Sequence, residues 1–186
     1  EFVHQFIRSY KNAPARIILD FDDSNSNTYG AQQLTFFNDY YGESCYMPLF
    51  IFEGYSGKLI LPLLRPGRVN KRLNVFGLMR RIITEIRKYW RGTVIVVRGD
   101  SMFCSHEFME WSKTQHHVQF ITGLTGNKAL GERSEPWVSR ARDDFRRDGK
   151  PVKRYYRHMY RAGSWNEAQW VITKVEYNCL GYNVRH

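Results

Sequence analysis

The sequence predicts an α/β fold in which a mixed sheet with flanking helices is followed by part of a β-rich subdomain. Three observations predict it. Two apolar, β-branched runs end in carboxylates: Ile17-Ile18-Leu19-Asp20-Phe21-Asp22-Asp23 and Val94-Ile95-Val96-Val97-Arg98-Gly99-Asp100. Buried strands that deliver acids to the rim of a sheet have this form. A segment of helical periodicity lies between them, and beyond Gly123 the chain turns polar and charged before it alternates in Tyr, Trp and Arg.

The elements follow in order. After a short lead containing Asn12-Ala13-Pro14, residues 15–21 read as a buried strand, closed by the polar turn Ser24-Asn25-Ser26-Asn27. The apolar runs 46–52 and 59–64 read as two more strands, and Glu53-Gly54-Tyr55-Ser56-Gly57-Lys58 has the length and glycines of a hairpin connection. From 75 to 90, Phe76, Met79, Ile82, Ile83, Ile86 and Trp90 recur at three- and four-residue steps, which predicts an amphipathic helix. Residues 94–97 form the next strand. Residues 105–114 are a helix with Ser105 as N-cap, and 118–122 a further strand.

A helical crossover can lay the Asp100 strand parallel to the first strand and beside it, so that both acid-bearing ends meet. That is the pattern of a ribonuclease-H-like core. The expected division is an incomplete core over 1–123 and a partial, basic, β-rich insertion over 124–186, with strands at 152–161 and 167–177.

Composition limits the function. With 186 residues, 42% of them hydrophobic, the chain can build one core or one core plus part of a second. A net charge of +10 from 28 Lys and Arg against 18 Asp and Glu favours a polyanionic partner, nucleic acid first and a membrane surface second. No stretch approaches the roughly 20 apolar residues of a membrane span and no signal pattern opens the chain, so a soluble, intracellular protein is expected. Cys45, Cys104 and Cys179 are odd in number and lack Cys-x-x-Cys spacing, which predicts free thiols. The chain opens on Glu1, not Met, and is expected to be a fragment.

In a strand, residues two apart share a face, so Asp20 and Asp22 project together and Asp23 away. Either Asp20 or Asp22 could bind a metal while the other orients it; alternatively, Asp22 and Asp23 only cap the turn that follows. Carboxylates brought close to Asp100 would raise one another's pKa, a cost that a divalent cation removes, and such oxygen ligands select Mg²⁺ or Mn²⁺ over zinc. His106-Glu107 opens like a zinc-protease helix, but Glu110 stands where the second His belongs. Adjacent His116 and His117 would diverge if extended. No Gly-x-Ser-x-Gly motif or phosphate-cradling loop is present.

The densest basic stretch holds Arg140, Arg142, Arg146, Arg147, Lys150, Lys153, Arg154, Arg157 and Arg161, interleaved with Tyr155, Tyr156 and Tyr160. Guanidinium groups neutralise phosphates and aromatic rings stack on bases, so DNA contact is expected along it. The alternative is a solvated face whose Tyr rings pack a small sheet.

The sequence resembles the bacterial insertion-sequence transposases of the DDE type, in particular the group numbered thirteen-eighty. The residues that carry the resemblance are Leu19-Asp20-Phe21-Asp22-Asp23-Ser24, Tyr29-Gly30-Ala31-Gln32-Gln33, Phe36-Phe37-Asn38, Tyr40-Tyr41 and Cys45-Tyr46-Met47-Pro48. They continue with Gly57-Lys58, Leu64-Arg65-Pro66-Gly67, Arg98-Gly99-Asp100-Ser101, and Gly123-Leu124 followed by Gly126-Asn127. The resemblance implies a ribonuclease-H-like catalytic domain whose Asp, Asp, Glu triad binds two divalent ions, Mg²⁺ or Mn²⁺. It implies cleavage and transfer of DNA strands, with double-stranded DNA (element ends and target) as partner, a homodimer when full length, and a bacterial, cytoplasmic, DNA-associated protein.

Asp100 matches the second acid. The first maps onto Asp22, with Asp20 a near equal. The family's third acid lies in a helical Tyr, Arg, Glu, Lys signature that is not found here, and neither Glu167 nor Glu176 is assigned to it. A DNA-binding remnant without catalysis, or a nuclease or resolvase of the same fold, is the alternative function.

Overall fold

The computed structural model describes residues 1–30, 32–68 and 75–186. Ala31, one residue of the Tyr29–Gln33 motif, and residues 69–74 lie outside them. The chain divides into two compact units, 1–122 and 123–186.

The first unit is built on a five-stranded mixed sheet: β1 (Arg16–Asp23), β5 (Leu49–Glu53), β6 (Leu59–Leu63), β7 (Val94–Gly99) and β8 (Val118–Thr122), in the order β6-β5-β1-β7-β8. β5 runs antiparallel to β1 and β6, while β7 runs parallel to β1 and β8. This is the ribonuclease-H-like arrangement that the order of elements predicts. Strict alternation in β1 buries Ile17, Leu19 and Phe21. The helices α1 (Phe2–Arg8), α2 (Val75–Tyr89) and α3 (His106–Lys113) supply the apolar stripes that meet this face.

α2 forms because Met79, Ile82, Ile83 and Ile86 fall on one side, where all four are buried. Each such side chain contributes about 1.5–3 kcal/mol by leaving water. Ser105 caps α3, its hydroxyl accepting from the Phe108 amide. Between β1 and β5 stands a small sheet of β2 (Ser26–Asn27), β3 (Phe36–Asn38) and β4 (Glu43–Tyr46), in the order β2-β4-β3. The run 46–52, expected as one strand, is therefore two: Met47-Pro48 separates β4 from β5, and Pro48 has no amide hydrogen to give a ladder.

The second unit packs the 21-residue helix α4 (Lys128–Asp148) on an antiparallel sheet of β9 (Val152–Tyr160), β10 (Gln169–Asn178) and β11 (Gly181–Arg185). Asn127 caps α4 through the Leu130 amide, and Gly149 ends it at φ 65°, in the left-handed region that glycine tolerates. Val138, Ala141 and Val175 form a small core. The segment 124–150, expected from its composition to be a polar stretch, contains a long helix. No helix among the described residues is long and apolar enough to cross a membrane.

Candidate active site at the strand ends

The site is set by the parallel register of β1 and β7. Asp20 lies opposite Arg98 and Phe21 opposite Gly99, so Asp22, still paired with Phe50 of β5, and Asp100, the first residue past β7, lie at the same rim. The expected juxtaposition of the acid-bearing strands is therefore found, but the side chains divide differently from the expectation.

Asp20 is bound by Arg98. The guanidinium grips both carboxylate oxygens, with Nε to Oδ1 at 2.9 Å and Nη2 on Oδ2. Gly54 makes room for this pair, since a Cβ there would stand 3.0 Å from the Ile18 side chain and 3.2 Å from Arg98 Nη2. Asp20, expected as an alternative metal ligand, thus already holds a cation of the protein itself. Asp22 is exposed on the same face of β1.

Asp100 is exposed at the end of β7, where the strand passes into a 3-10 turn over Ser101–Phe103. Its Oδ1 accepts from the Met102 amide at 2.8 Å. The turn is braced by Phe103, which is buried beside Phe21 with ring centroids 5.6 Å apart. Phe103 lies so close to Gly99 that a Cβ there would come within 2.7 Å of its ring. The Arg-Gly-Asp sequence is therefore a steric device: only glycine lets this ring press on the strand end and fix the acid.

Asp23 is the functional candidate that sequence reasoning passed over. It lies on the buried side of β1 and is paired with Arg65, whose side chain is 4% exposed and whose Nε donates to the Met47 carbonyl at 2.9 Å. Burial pushes the Asp23 carboxyl above its ordinary value. Arg65 opposes the rise, but the negative charges of Asp100 and Asp22 add to it. Asp23 projects away from Asp20 and Asp22, as the strand period requires, yet it is this acid whose pKa feels the charge of Asp100. The signal available in the sequence was Leu64-Arg65-Pro66-Gly67, an arginine followed by residues that hold a tight bend.

A second unforeseen carboxylate is Glu53, 2% exposed at the end of β5. It accepts from the Ile18, Tyr55 and Ser56 amides and from the Ser56 hydroxyl at 2.7–3.2 Å. Burial alone would push its carboxyl up, but these hydrogen bonds outweigh it and leave the pKa below the usual range. Glu53 fastens the β5–β6 hairpin to β1 and is structural.

Asp22, Asp23 and Asp100 offer hard oxygen donors suited to Mg²⁺ or Mn²⁺, and the Asp23 pKa is raised chiefly by burial, with the charges of Asp100 and Asp22 adding to the rise. The set is incomplete: among the described residues no three or more His, Cys, Asp or Glu side chains form a group that could hold a metal ion. Glu176 is strand-borne and paired with Lys153 and Lys174.

In the second unit the expected DNA-contacting residues fall on different surfaces. Arg147 pairs with Asp144 and Asp148, and Arg154 with Asp144. Arg142 bonds the Ser139 hydroxyl at 2.8 Å. Tyr156, expected to stack on DNA, instead stacks on Trp137 at 4.5 Å with planes 4° apart, on the helix-covered side of the sheet. The opposite face carries Lys153, Tyr155 and Arg157 beside Trp170, Ile172 and Lys174 of β10. Tyr155, Trp170 and Ile172 are all at least 60% exposed, and Arg157 lies over the Trp170 ring at 3.8 Å. Arg140, Arg146 and Lys150 are also exposed.

Fold and site together define a ribonuclease-H-like domain with carboxylates gathered where adjacent parallel strands end. The whole chain, residues 1–186, matches the family described as transposase DDE domain, group 1, and the chain belongs to that family. No curated protein matches it. Among solved structures it is similar to a piggyBac transposase seen by cryo-electron microscopy in a synaptic complex with hairpin DNA. The identity is 12%, the coverage 94% of this chain and 33% of that one, and the TM-score 0.48. The chain thus spans about a third of that protein's length.

Proposed function

We propose that the chain is the catalytic-domain part of a transposase that cleaves DNA strands at the ends of a mobile element and joins them to target DNA. The observation that supports the proposal is the parallel register of β1 and β7, which ends the strands bearing Asp22, Asp23 and Asp100 at one rim, inside a chain that matches a DDE transposase family over residues 1–186. The order of motifs from Leu19 to Asn127 supports the finer reading, a bacterial, cytoplasmic insertion-sequence transposase of the group numbered thirteen-eighty, dimeric when full length.

Asp22 and Asp100, both exposed, are the residues that would hold Mg²⁺ or Mn²⁺, with Asp23 beside them and anchored by Arg65. When bound, such ions polarise a phosphoryl oxygen and favour deprotonation of a water or 3′ hydroxyl. The protein supplies the rest. The 3-10 turn holds Asp100 still, and Arg98 removes Asp20 from competition for the ion. The open face of the β9–β11 sheet, with Lys153, Tyr155, Arg157 and Lys174, offers cations to phosphates and rings to bases, joined by Arg140, Arg146 and Lys150.

Asp100→Asn in the full-length protein tests the assignment. Mg²⁺-dependent strand cleavage should fall to background while DNA binding persists, and cleavage at the normal rate would refute it. The incomplete donor set favours one other reading, a chain that binds DNA without cutting it. That reading predicts salt-sensitive binding and no metal-dependent nicking.

A further inference from the structure

A chain of polar contacts crosses all three strands of the second unit, on the side of the sheet that α4 covers. At its centre is the Thr173 hydroxyl of β10, which is fully buried. His158 Nε2 of β9 lies 2.9 Å from it, and Nδ1 of His186, the residue after β11, lies 2.9 Å from it on another side. The second ring nitrogen of His158, Nδ1, meets Arg133 Nη1 of α4 at 3.3 Å, and the same guanidinium donates to the Met159 carbonyl. The His186 carbonyl accepts from the Leu124 amide at 2.9 Å, so this residue also holds the segment that leads into α4.

The donors fix the direction of this chain. An arginine side chain can only donate, so His158 Nδ1 accepts and its hydrogen sits on Nε2. Nε2–H then donates to Thr173 Oγ1, and the single hydrogen of the threonine hydroxyl is left for His186 Nδ1. Both rings are neutral in this arrangement, each with its hydrogen on Nε2. A proton added at His186 Nδ1 turns that atom into a donor, so two donors point at a buried hydroxyl whose own hydrogen loses its acceptor. His158 cannot reverse to receive it, because its Nδ1 would then carry a hydrogen toward Arg133. A proton added to His158 sets an imidazolium against the guanidinium directly.

We propose that Arg133, His158, Thr173 and His186 form a proton-sensitive latch, which fastens β9 and β11 across β10 near neutral pH and lets go on acidification. The charged and titratable groups on this side of the sheet are Arg133 and Glu135 from α4, Tyr156 and Tyr160 from β9, Tyr177 from β10 and Tyr182 from β11. Arg133 stands against His158, while Glu135 shares a cavity of about 510 Å³ with His186. Burial is the main cause that holds both rings below the ordinary histidine value. At His158 the Met159 carbonyl opposes the fall and Arg133 adds to it; at His186 the charge of His158 adds to it. Rings that take up protons less readily folded than unfolded stabilise the unit fully above about pH 6.5, and that stability is lost as pH falls through their lower folded values. The latch does not depend on the cleavage proposal, whose acids all lie in the first unit.

The test is an NMR titration of the histidine rings in the 186-residue chain, from about pH 8 to about pH 5. At the alkaline end the ring nitrogens of His158 and His186 should both report hydrogen on Nε2, and both rings should titrate below the ordinary histidine value. Hydrogen-exchange protection of the Val171, Thr173 and Val175 amides, corrected for intrinsic rates, should fall on acidification by up to about tenfold per pH unit for each proton taken up. Thr173→Val should raise the His186 midpoint and release its tautomer, whereas Thr173→Ser, which keeps the hydroxyl, should leave both unchanged. Arg133→Met should raise the His158 midpoint and release its tautomer in turn.

Hydrogen on Nδ1 of either ring in the unsubstituted chain would overturn the latch, and this measurement decides even where a variant fails to fold. Protection that stays level across the titration, or a His186 midpoint unmoved by Thr173→Val, would overturn it equally.

Discussion

Two arginine–aspartate pairs flank the rim of the central sheet, and they have the same chemistry in opposite surroundings. Arg98 grips Asp20 on the open face, where the side chains are 45% and 34% exposed. Arg65 grips Asp23 on the buried face, where the figures are 4% and 14%. In water-screened surroundings an ion pair contributes little and mainly sets geometry. Out of water, removing one partner strands the other. The first pair aligns neighbouring strands, and the second holds a carboxylate that burial and the charges of Asp100 and Asp22 push toward protonation. The difference teaches which acid position is tuned: the strained one is Asp23.

The same substitution at the two arginines should separate these roles. Arg65→Met should cost about 3–5 kcal/mol in chemical denaturation at neutral pH, because the buried Asp23 loses its counter-charge. The loss should shrink on acidification. An acid whose folded pKa is raised binds more protons folded than unfolded, so its contribution to stability falls as pH rises through that range. Without Arg65 the Asp23 carboxyl rises further, and the penalty is largest above its folded pKa and smallest once it is protonated.

The next largest effect is expected from Gly99→Ala. The new methyl must displace Phe103, which should cost about 1–3 kcal/mol as an overpacked site and loosen Asp100, lowering strand cleavage more than DNA binding. Arg98→Met should be mildest, under about 1 kcal/mol after allowance for solvent screening. Its unfolding midpoint should stay close to that of the unsubstituted chain. Equal losses at Arg65 and Arg98 would break the comparison.

Much of the first unit was legible because its signals are local. β1 and β7 each carry a short apolar run ahead of their acids, α2 has a clean three- and four-residue period, and Ser105 caps α3 as its position suggests. The position of Asp100 at a strand end was equally plain. The Arg65–Asp23 pair was not, because it joins residues 42 apart through a bend that no periodicity reports. Glu53 was hidden for a related reason: the donors of its own turn, at Tyr55 and Ser56, are joined by the Ile18 amide only when the hairpin closes on β1. The small sheet escaped notice because its strands have two to four residues and expose most of their side chains.

In the second unit the apolar stripe of α4 is thin. Leu130, Ser134, Val138 and Ala141 are buried at helical spacing, but one of the four is polar and Pro136 interrupts the sequence between them. That spacing, with Gly149 as a stop, was the signal available. The basic stretch was visible, but not that Tyr156 and Arg154 would turn toward α4 while Tyr155 and Arg157 face outward. A strand's two faces cannot be told apart until the helix that covers one of them is recognised.

The most direct measurement of the central claim is paramagnetic broadening of backbone amide resonances by Mn²⁺. If the acids at the ends of β1 and β7 share one cation site, residues 21–24 and 99–102 should broaden together, Asp100→Asn should abolish the effect at both segments, and the opposite ends of the same strands, at Arg16 and Val94, should broaden least. Broadening confined to one strand end, or unchanged in the Asp100→Asn chain, would contradict the account.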